Sequence, residues 1–144
     1  MRREPMPSSE PTERRIWYLD SSVALRVLLA HSVEAAEWFD ERAFAGDAFA
    51  SSRLLELELT RVFRRESLDV VEVADFVAEL TLLTVDDALV AEAAAIVPHL
   101  RSLDALHLAG AQRIGVDAVT IVTHDLGMAK TAESLGFAVH DPVA

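Results

Sequence analysis

The stretch IWYLDSSVALRVLL, residues 16–29, decides the fold that the sequence predicts. Its first four residues have the β-branched and aromatic content of a buried strand, and VALRVLL has the composition of a helix that Ser21 or Ser22 can cap. Asp20 lies between the two elements. Because open α/β sheets build their sites at the carboxyl ends of strands, Asp20 is predicted to stand at such a site.

The rest of the chain repeats this alternation of strand and helix. Helical stretches separate the further strand candidates, which are DAFAS, TLLTV, VDAVTIVT and FAVH. Such alternation predicts an α/β domain with a mostly parallel sheet and helices on both faces.

Two of the helices carry specific expectations about burial. VEAAEWFDERAFA begins after Ser32 as its cap and stops at Gly46, and its predicted buried side comprises Ala35, Trp38, Phe39 and Phe44. The leucines of the next helix, SRLLELELTRVFRRE, do not form one clean stripe, so we expect this helix to be buried on more than one side.

Length and composition indicate a single domain. The chain has 144 residues, of which 51% are hydrophobic, and it has no cysteine, which excludes disulfides and thiolate sites. Residues 1–15 are rich in proline, serine and charge and are predicted to form a disordered tail, whereas residues 16–144 form the domain. No apolar run is long enough for a membrane span, so we expect a soluble, cytoplasmic protein without a membrane partner.

The net charge of −11 argues against a protein that holds nucleic acid on a broad basic face. From Ile16 onward the chain has nine basic and 21 acidic side chains. Such a surplus indicates either a solvated acidic surface or a cluster of carboxylates that binds a metal ion or a basic partner.

Four acids occupy positions that an α/β layout can bring together: Asp20, Glu58, Asp104 and Asp125. The three aspartates lie where a strand or a loop leads into a helix. Carboxylates that converge raise one another's pKa unless a cation is present, and Mg²⁺ or Mn²⁺ is the hard cation that oxygen ligands favour. The set therefore predicts a divalent metal site that activates water at a phosphodiester.

Each acid also has an ordinary structural interpretation, which the sequence leaves open. Asp104 in a first helical turn is favoured by the helix dipole, Asp125 is a natural helix cap, and Glu58 can pair with Arg61 or Arg65 along its own helix.

Two hydroxyls and five histidines complete the candidates. Ser22 and Thr123 can support the metal ligands through a hydroxyl, although they fit equally well as a helix cap and a strand residue. His107 and His124 stand near Asp104 and Asp125, but no histidine has zinc-ligand spacing, and a surface or hydrogen-bonded role is favoured.

The ordered motifs LDSSVALRVLL, ELTRVFRR, LRSLDALHLAGA and VTHDLGMAKTAESLG resemble PIN-domain proteins of the VapC toxin type. The resemblance covers Ile16 to Val139. It implies a three-layer α/β/α domain that acts as an Mg²⁺- or Mn²⁺-dependent endoribonuclease on structured RNA such as transfer or ribosomal RNA. It also implies a homodimer, a cognate antitoxin with a basic segment that occupies the groove, and a toxin–antitoxin hetero-oligomer.

The resemblance also assigns roles to individual residues. Asp20, Glu58 and Asp104 would hold the ion that activates water, and Asp125 would support a second ion or orient the other ligands. Glu58 is chosen over Glu56 because it matches the ExxR pattern of the motif. On the same helix, Arg61 is a candidate phosphate contact.

A competing hypothesis is a PIN-like or receiver-like regulatory module that binds a metal or a basic peptide without cleaving anything. A phospho-acceptor role for Asp20 is a third, weaker interpretation of the same strand end.

Overall fold

The computed structural model describes residues 15–143, which form five strands and seven helices. In chain order these are β1 (Ile16–Leu19), α1 (Ser21–Leu28), α2 (Val33–Phe44), β2 (Ala48–Ser52), α3 (Arg53–Arg65), α4 (Val71–Val77), β3 (Thr81–Leu83), α5 (Asp87–Ala94), α6 (Ser102–Ile114), β4 (Val119–Val122), α7 (Leu126–Ser134) and β5 (Ala138–His140). The predicted tail lies outside the described residues except for Arg15.

The strands form one sheet in the order β3-β2-β1-β4-β5, and every neighbouring pair is parallel. From β1 the chain moves outward through β2 and β3, and it then returns to the other side of β1 for β4 and β5. The carboxyl ends of β1 and β4 therefore flank the switch point of the sheet, where α/β folds form their crevice. Asp20 directly follows β1, and Thr123 directly follows β4.

Helices cover both faces of the sheet because successive side chains of a strand point to opposite sides. Trp17 and Leu19 of β1 join the hydrophobic core formed with α1, α2, α3 and α4. Tyr18 lies in a second core with α6 and α7, and α5 packs on α6 in a third cluster. The predicted α/β class and its three-layer α/β/α arrangement are confirmed.

Asp20 is the cap of α1, so the expectation that Ser21 or Ser22 caps this helix is wrong. The backbone of Asp20 is extended (φ −83°, ψ 154°), and its side chain accepts a hydrogen bond from the backbone N–H of Ser21. Both serines already belong to the helix, which frees their hydroxyl groups for other partners.

Two burial expectations are also wrong, for reasons of helical geometry. Phe44 is 97% exposed, because five residues after the buried Phe39 a helix has turned to a different face. In α3 the buried side chains are Leu55, Leu59 and Phe63, which recur every four residues as a single stripe, whereas Leu57 is exposed.

Within the described residues, no helix has the length and apolar character that crossing a membrane requires.

Candidate active site

Asp20 is a buried carboxylate at the switch point of the sheet, with only 3% of its surface exposed. Its Oδ1 accepts a hydrogen bond of 2.8 Å from the backbone N–H of Ser21. Its Oδ2 accepts hydrogen bonds from the hydroxyl of Ser22 (3.0 Å) and from that of Thr123 (2.7 Å). Three donors thus satisfy and orient a carboxylate that has about four acceptor positions, which leaves one for a further ligand.

The hydroxyls of Ser22 and Thr123 connect the end of β1 to the loop after β4. Ser22 Oγ also accepts from the backbone N–H of His124 (3.1 Å), and Thr123 Oγ1 accepts from that of Asp125 (3.1 Å). Each hydroxyl therefore donates to Asp20 and accepts from the neighbouring loop. The two supporting hydroxyls named from the sequence both contact Asp20.

Asp104 and Asp125 are joined by a single guanidinium. Arg101 donates from Nε to Asp104 Oδ2 (3.1 Å) and from an Nη to Asp125 Oδ2 (3.2 Å). Asp104 lies in the first turn of α6, and Asp125 caps α7 by accepting from the backbone N–H of Met128 through Oδ1. Asp104 therefore has the first-turn position and Asp125 the capping role of their ordinary interpretations, and both acids also contact Arg101.

Asp20 and Asp125 lie close enough to Asp104 to influence its ionisation. Burial raises the pKa of Asp104, and the negative charges of Asp20 and Asp125 raise it further, while the hydrogen bond and charge of Arg101 oppose the shift. The same contacts raise the pKa of Arg101, chiefly through its hydrogen bond to Asp104. The site thus holds negative charge that its own cation only partly neutralises.

Glu58 flanks this cluster from α3 and does not pair with Arg61 or Arg65. Its Oε2 accepts from the hydroxyl of Ser21 (3.3 Å), and its Oε1 lies 2.7 Å from Nε2 of His107. Arg65 instead pairs with Glu66. Since Ser21 also donates its backbone N–H to Asp20, a single residue connects the two acids.

The sequence interpretation did not pair His107 with any of the four acids, but the structure places it in contact with Glu58. Its ring is buried on α6, and its Nδ1 lies 3.1 Å from the hydroxyl of Ser52. With a Glu58 oxygen as acceptor, Nε2 is the donor of this contact, and the Ser52 hydroxyl is the partner of the other ring nitrogen. The favoured hydrogen-bonded role is confirmed. The position of His107 three residues after Asp104 indicated that it lies near the site, but not that Glu58 is its partner.

The four predicted acids thus belong to one connected region, but they are not equally close. Asp20, Asp104 and Asp125 interact electrostatically, whereas Glu58 is linked to them through Ser21. As arranged, residues 15–143 contain no group of three or more His, Cys, Asp or Glu side chains that could hold a metal ion. Arg61 is exposed, and it makes no hydrogen bond or ion pair within residues 15–143.

Comparisons with known proteins agree with this architecture. The family model for the PIN domain matches residues 17–134. Ribonuclease VapC35 of Mycobacterium tuberculosis (strain ATCC 25618 / H37Rv) is 38% identical over 132 residues, which cover 87% of this chain and 96% of that protein. Ribonuclease VapC47 of Mycobacterium tuberculosis (strain CDC 1551 / Oshkosh) is 30% identical over 132 residues, covering 88% of this chain and 97% of the relative.

Two solved structures share the fold. VapBC2 from Rickettsia felis, bound to a DNA fragment from its promoter, contains a chain that aligns with a TM-score of 0.66 at 13% identity, over 88% of this chain and 98% of its own. A chain of FitAB bound to an IR36 DNA fragment aligns with a TM-score of 0.58 at 16% identity, over 89% and 96%.

Proposed function

This chain belongs to the PIN domain family, and on that premise we propose that it is an endoribonuclease, the toxin of a toxin–antitoxin pair. The ribonucleases VapC35 and VapC47 match nearly its whole length. The observation that carries the proposal is the cluster of Asp20, Asp104 and Asp125 at the switch point of the sheet. These three aspartates are among the four acids that match the motifs of the PIN-domain family.

By type, the carboxylates of the four acids suit a hard divalent metal ion, on which VapC ribonucleases generally depend, although no three of them form a metal-holding group as residues 15–143 are arranged. The acidic side chains of the region offer only carboxylate oxygens, and burial, together with the neighbouring negative charges, raises the pKa of Asp104. We assign Mg²⁺ or Mn²⁺ to Asp20, Glu58, Asp104 and Asp125. When bound, such an ion activates water and neutralises charge that develops on the phosphate.

The residues of the chain orient this chemistry. The donors from Ser21, Ser22 and Thr123 hold both oxygens of Asp20, so the carboxylate has little freedom to turn away. His107 likewise holds Glu58 through the contact of its Nε2 with Oε1. Such supporting hydrogen bonds fix the direction in which a carboxylate offers its remaining lone pair.

Substrate contacts come from few basic residues. Arg61 lies on α3 one turn after Glu58 and is exposed, which suits a phosphate contact beside the site. With a net charge of −11, the protein lacks the broad basic face that binds nucleic acid through many phosphates. We therefore propose that a structured RNA, such as transfer or ribosomal RNA, is recognised by shape and by a small number of contacts.

The same acidic surface suits a cognate antitoxin with a basic segment. Opposite charges steer association, and an arginine forms strong paired hydrogen bonds with a carboxylate. The VapBC2 and FitAB neighbours are two-component assemblies by their names. We propose a homodimer within a toxin–antitoxin hetero-oligomer, located in the cytoplasm.

RNA cleavage tests the proposal. Purified protein is incubated with folded transfer and ribosomal RNA in Mg²⁺ or Mn²⁺, beside Asp20→Asn, Asp104→Asn and the control Asp117→Asn. Asp117 is an exposed aspartate in the loop before β4, at the amino ends of the strands, whereas the site lies at their carboxyl ends. We expect discrete cleavage by the wild type and the control only, abolished by EDTA.

Two outcomes would count against the enzyme. Cleavage that persists in both site variants would remove the proposed site. Absence of cleavage across these RNAs, together with retained metal binding, would favour the non-catalytic binding module.

A further inference from the structure

Ser52 stands at a position where a serine usually caps a helix, but its hydroxyl does not cap. It directly precedes α3 with an extended backbone (φ −95°, ψ 159°), and its side chain makes no capping hydrogen bond. The residues at the same position of α2, α5 and α7 are Ser32, Asp86 and Asp125, and the side chain of each accepts from a backbone N–H of its helix. Ser52 therefore forgoes a stabilising contact that its residue type favours.

The hydroxyl of Ser52 contacts His107 instead. Its Oγ lies 3.1 Å from Nδ1 of the His107 ring, across a separation of 55 residues in the chain. Ser52 is 0% exposed and His107 is 1% exposed, so water has no ready access to this contact. Nε2 of the same ring lies 2.7 Å from Oε1 of Glu58. Two consecutive contacts thus connect the end of β2 to an acid of the candidate site.

We propose that Ser52 is a positioning residue, whose hydroxyl donates to Nδ1 of His107 so that Nε2 presents its proton to Glu58. An ionised carboxylate only accepts hydrogen bonds, and a neutral imidazole has one donor and one acceptor nitrogen. A hydroxyl donor at Nδ1 therefore matches a ring that donates from Nε2. The inference deepens the proposed function and rests on it, because it gives Ser52 a part in holding Glu58 for RNA cleavage.

Loss of the Ser52 hydroxyl would affect Glu58 through the ring between them. Tyr18 of β1 packs against this ring in a T-shaped arrangement, with the ring centroids 6.5 Å apart and the planes at 76°. Within residues 15–143, Nδ1 of His107 has no hydrogen-bond partner other than Ser52. Without that hydroxyl a buried acceptor would be left unpaired, which is unfavourable. The ring would then shift to satisfy Nδ1, and its contact with Glu58 would weaken.

The preceding residue provides a matched control. Ser51 also lies on β2 and is 0% exposed, and its hydroxyl donates to the backbone carbonyl of Leu19 (2.8 Å). Within residues 15–143 this hydroxyl makes no hydrogen bond to His107 or Glu58. Ser51→Ala therefore removes an equally buried serine hydroxyl outside the proposed path. Ser52→Thr is the conservative variant, because threonine keeps a hydroxyl on the same carbon and suits an extended backbone.

RNA cleavage provides the first test, with kcat and KM measured for the wild type, Ser52→Ala, Ser52→Thr and Ser51→Ala at a temperature where thermal scans show all four folded. We expect Ser52→Ala to lower kcat roughly 10-fold and to leave KM unchanged, since Ser52 supports a site residue without reaching the RNA. Ser52→Thr should recover most of kcat, and Ser51→Ala should match the wild type. Equal losses of kcat in Ser51→Ala and Ser52→Ala would overturn the inference.

Nitrogen NMR of the histidine rings gives a second readout that needs no substrate. In the wild type at neutral pH, we expect the His107 signals, identified by their absence in His107→Leu, to show a proton on Nε2 and none on Nδ1. In Ser52→Ala the Nδ1 signal should move and the Nε2 proton should exchange faster with water, whereas Ser52→Thr and Ser51→Ala should keep both signals.

Two spectroscopic results would overturn the inference. A proton on Nδ1 in the wild type would do so even if Ser52→Ala failed to fold, and unchanged ring signals in a folded Ser52→Ala would do so as well. The expected ring signals in a wild type that cleaves no RNA would refute the enzyme, while the path from Ser52 through His107 to Glu58 would stand.

Discussion

Replacing Thr123 by valine tests whether Asp20 depends on its supporting hydroxyls. Thr123 Oγ1 donates to Asp20 Oδ2 at 2.7 Å and accepts from the backbone N–H of Asp125 at 3.1 Å. Thr123 is 1% exposed, so water cannot readily replace either partner. Valine has almost the same shape, and the substitution therefore removes two hydrogen bonds without creating a large cavity.

The expected loss follows from the two bonds. A hydrogen bond to a charged group contributes about 1.5–3 kcal/mol, and one to a neutral backbone group about 1 kcal/mol. Thr123→Val should therefore lower the free energy of unfolding by about 2–4 kcal/mol, a sizeable part of the roughly 5–15 kcal/mol of a typical domain. RNA cleavage should fall about 10- to 100-fold, because Asp20 loses a contact that orients it.

Thr120→Val is the matched control. Thr120 lies on β4, three residues earlier, and no side-chain hydrogen bond engages its hydroxyl within residues 15–143. Urea unfolding at neutral pH in EDTA should leave this variant within about 0.5 kcal/mol of the wild type. If Thr123→Val is equally stable and cleaves RNA normally, the claim that its hydroxyl holds Asp20 is refuted.

Three further substitutions probe the site and the layer beneath it. Metal-free Asp104→Asn should melt above the wild type at neutral pH. Burial and neighbouring negative charge raise the pKa of Asp104 in the folded protein, so the wild type loses stability as the pH rises through that pKa and Asp104 ionises. Asparagine does not ionise and avoids this loss, and a lower Tm of the variant would contradict the reasoning. His107→Leu should lower the free energy of unfolding by about 2–4 kcal/mol and slow RNA cleavage by disorienting Glu58, and wild-type values in urea unfolding and cleavage assays would contradict both. Gly110→Ala would place its Cβ 2.5 Å from the hydroxyl of Tyr18 and should cost about 1–3 kcal/mol in urea unfolding, most of which Tyr18→Phe should restore; an additive double mutant would contradict the clash.

Local sequence was sufficient for most of the secondary structure. Strand candidates were short apolar runs, and their ends agree with the structure within a few residues because composition and caps act over one or two turns. Ser32 illustrates this, since its side chain accepts from the backbone N–H of Ala35 as expected of a cap. Phe44 illustrates the limit, since burial depends on which face of α2 meets the sheet.

The site was selected by position in the chain, but its contacts cross long separations. Asp20 and Asp125 were recognised because each follows a strand of the alternating pattern. The bond between His107 and Glu58 spans 49 residues, and that between Thr123 and Asp20 spans 103. No periodicity or spacing encodes these pairs, so the hydrogen-bonding partners that the sequence offered for Glu58 were the arginines of its own helix.

By itself the sequence determined the α/β alternation and the family, and it selected the four candidate acids, because each of these resides in residue type and local order. Tertiary structure decided which side chains meet. The sheet places β1 beside β4, and therefore Asp20 beside Thr123. It also decided that Arg101 bridges Asp104 and Asp125 while Glu58 turns to His107. The physical reason is that side-chain charge and hydrogen bonding act over a few ångströms of space, whatever number of residues separates the partners along the chain.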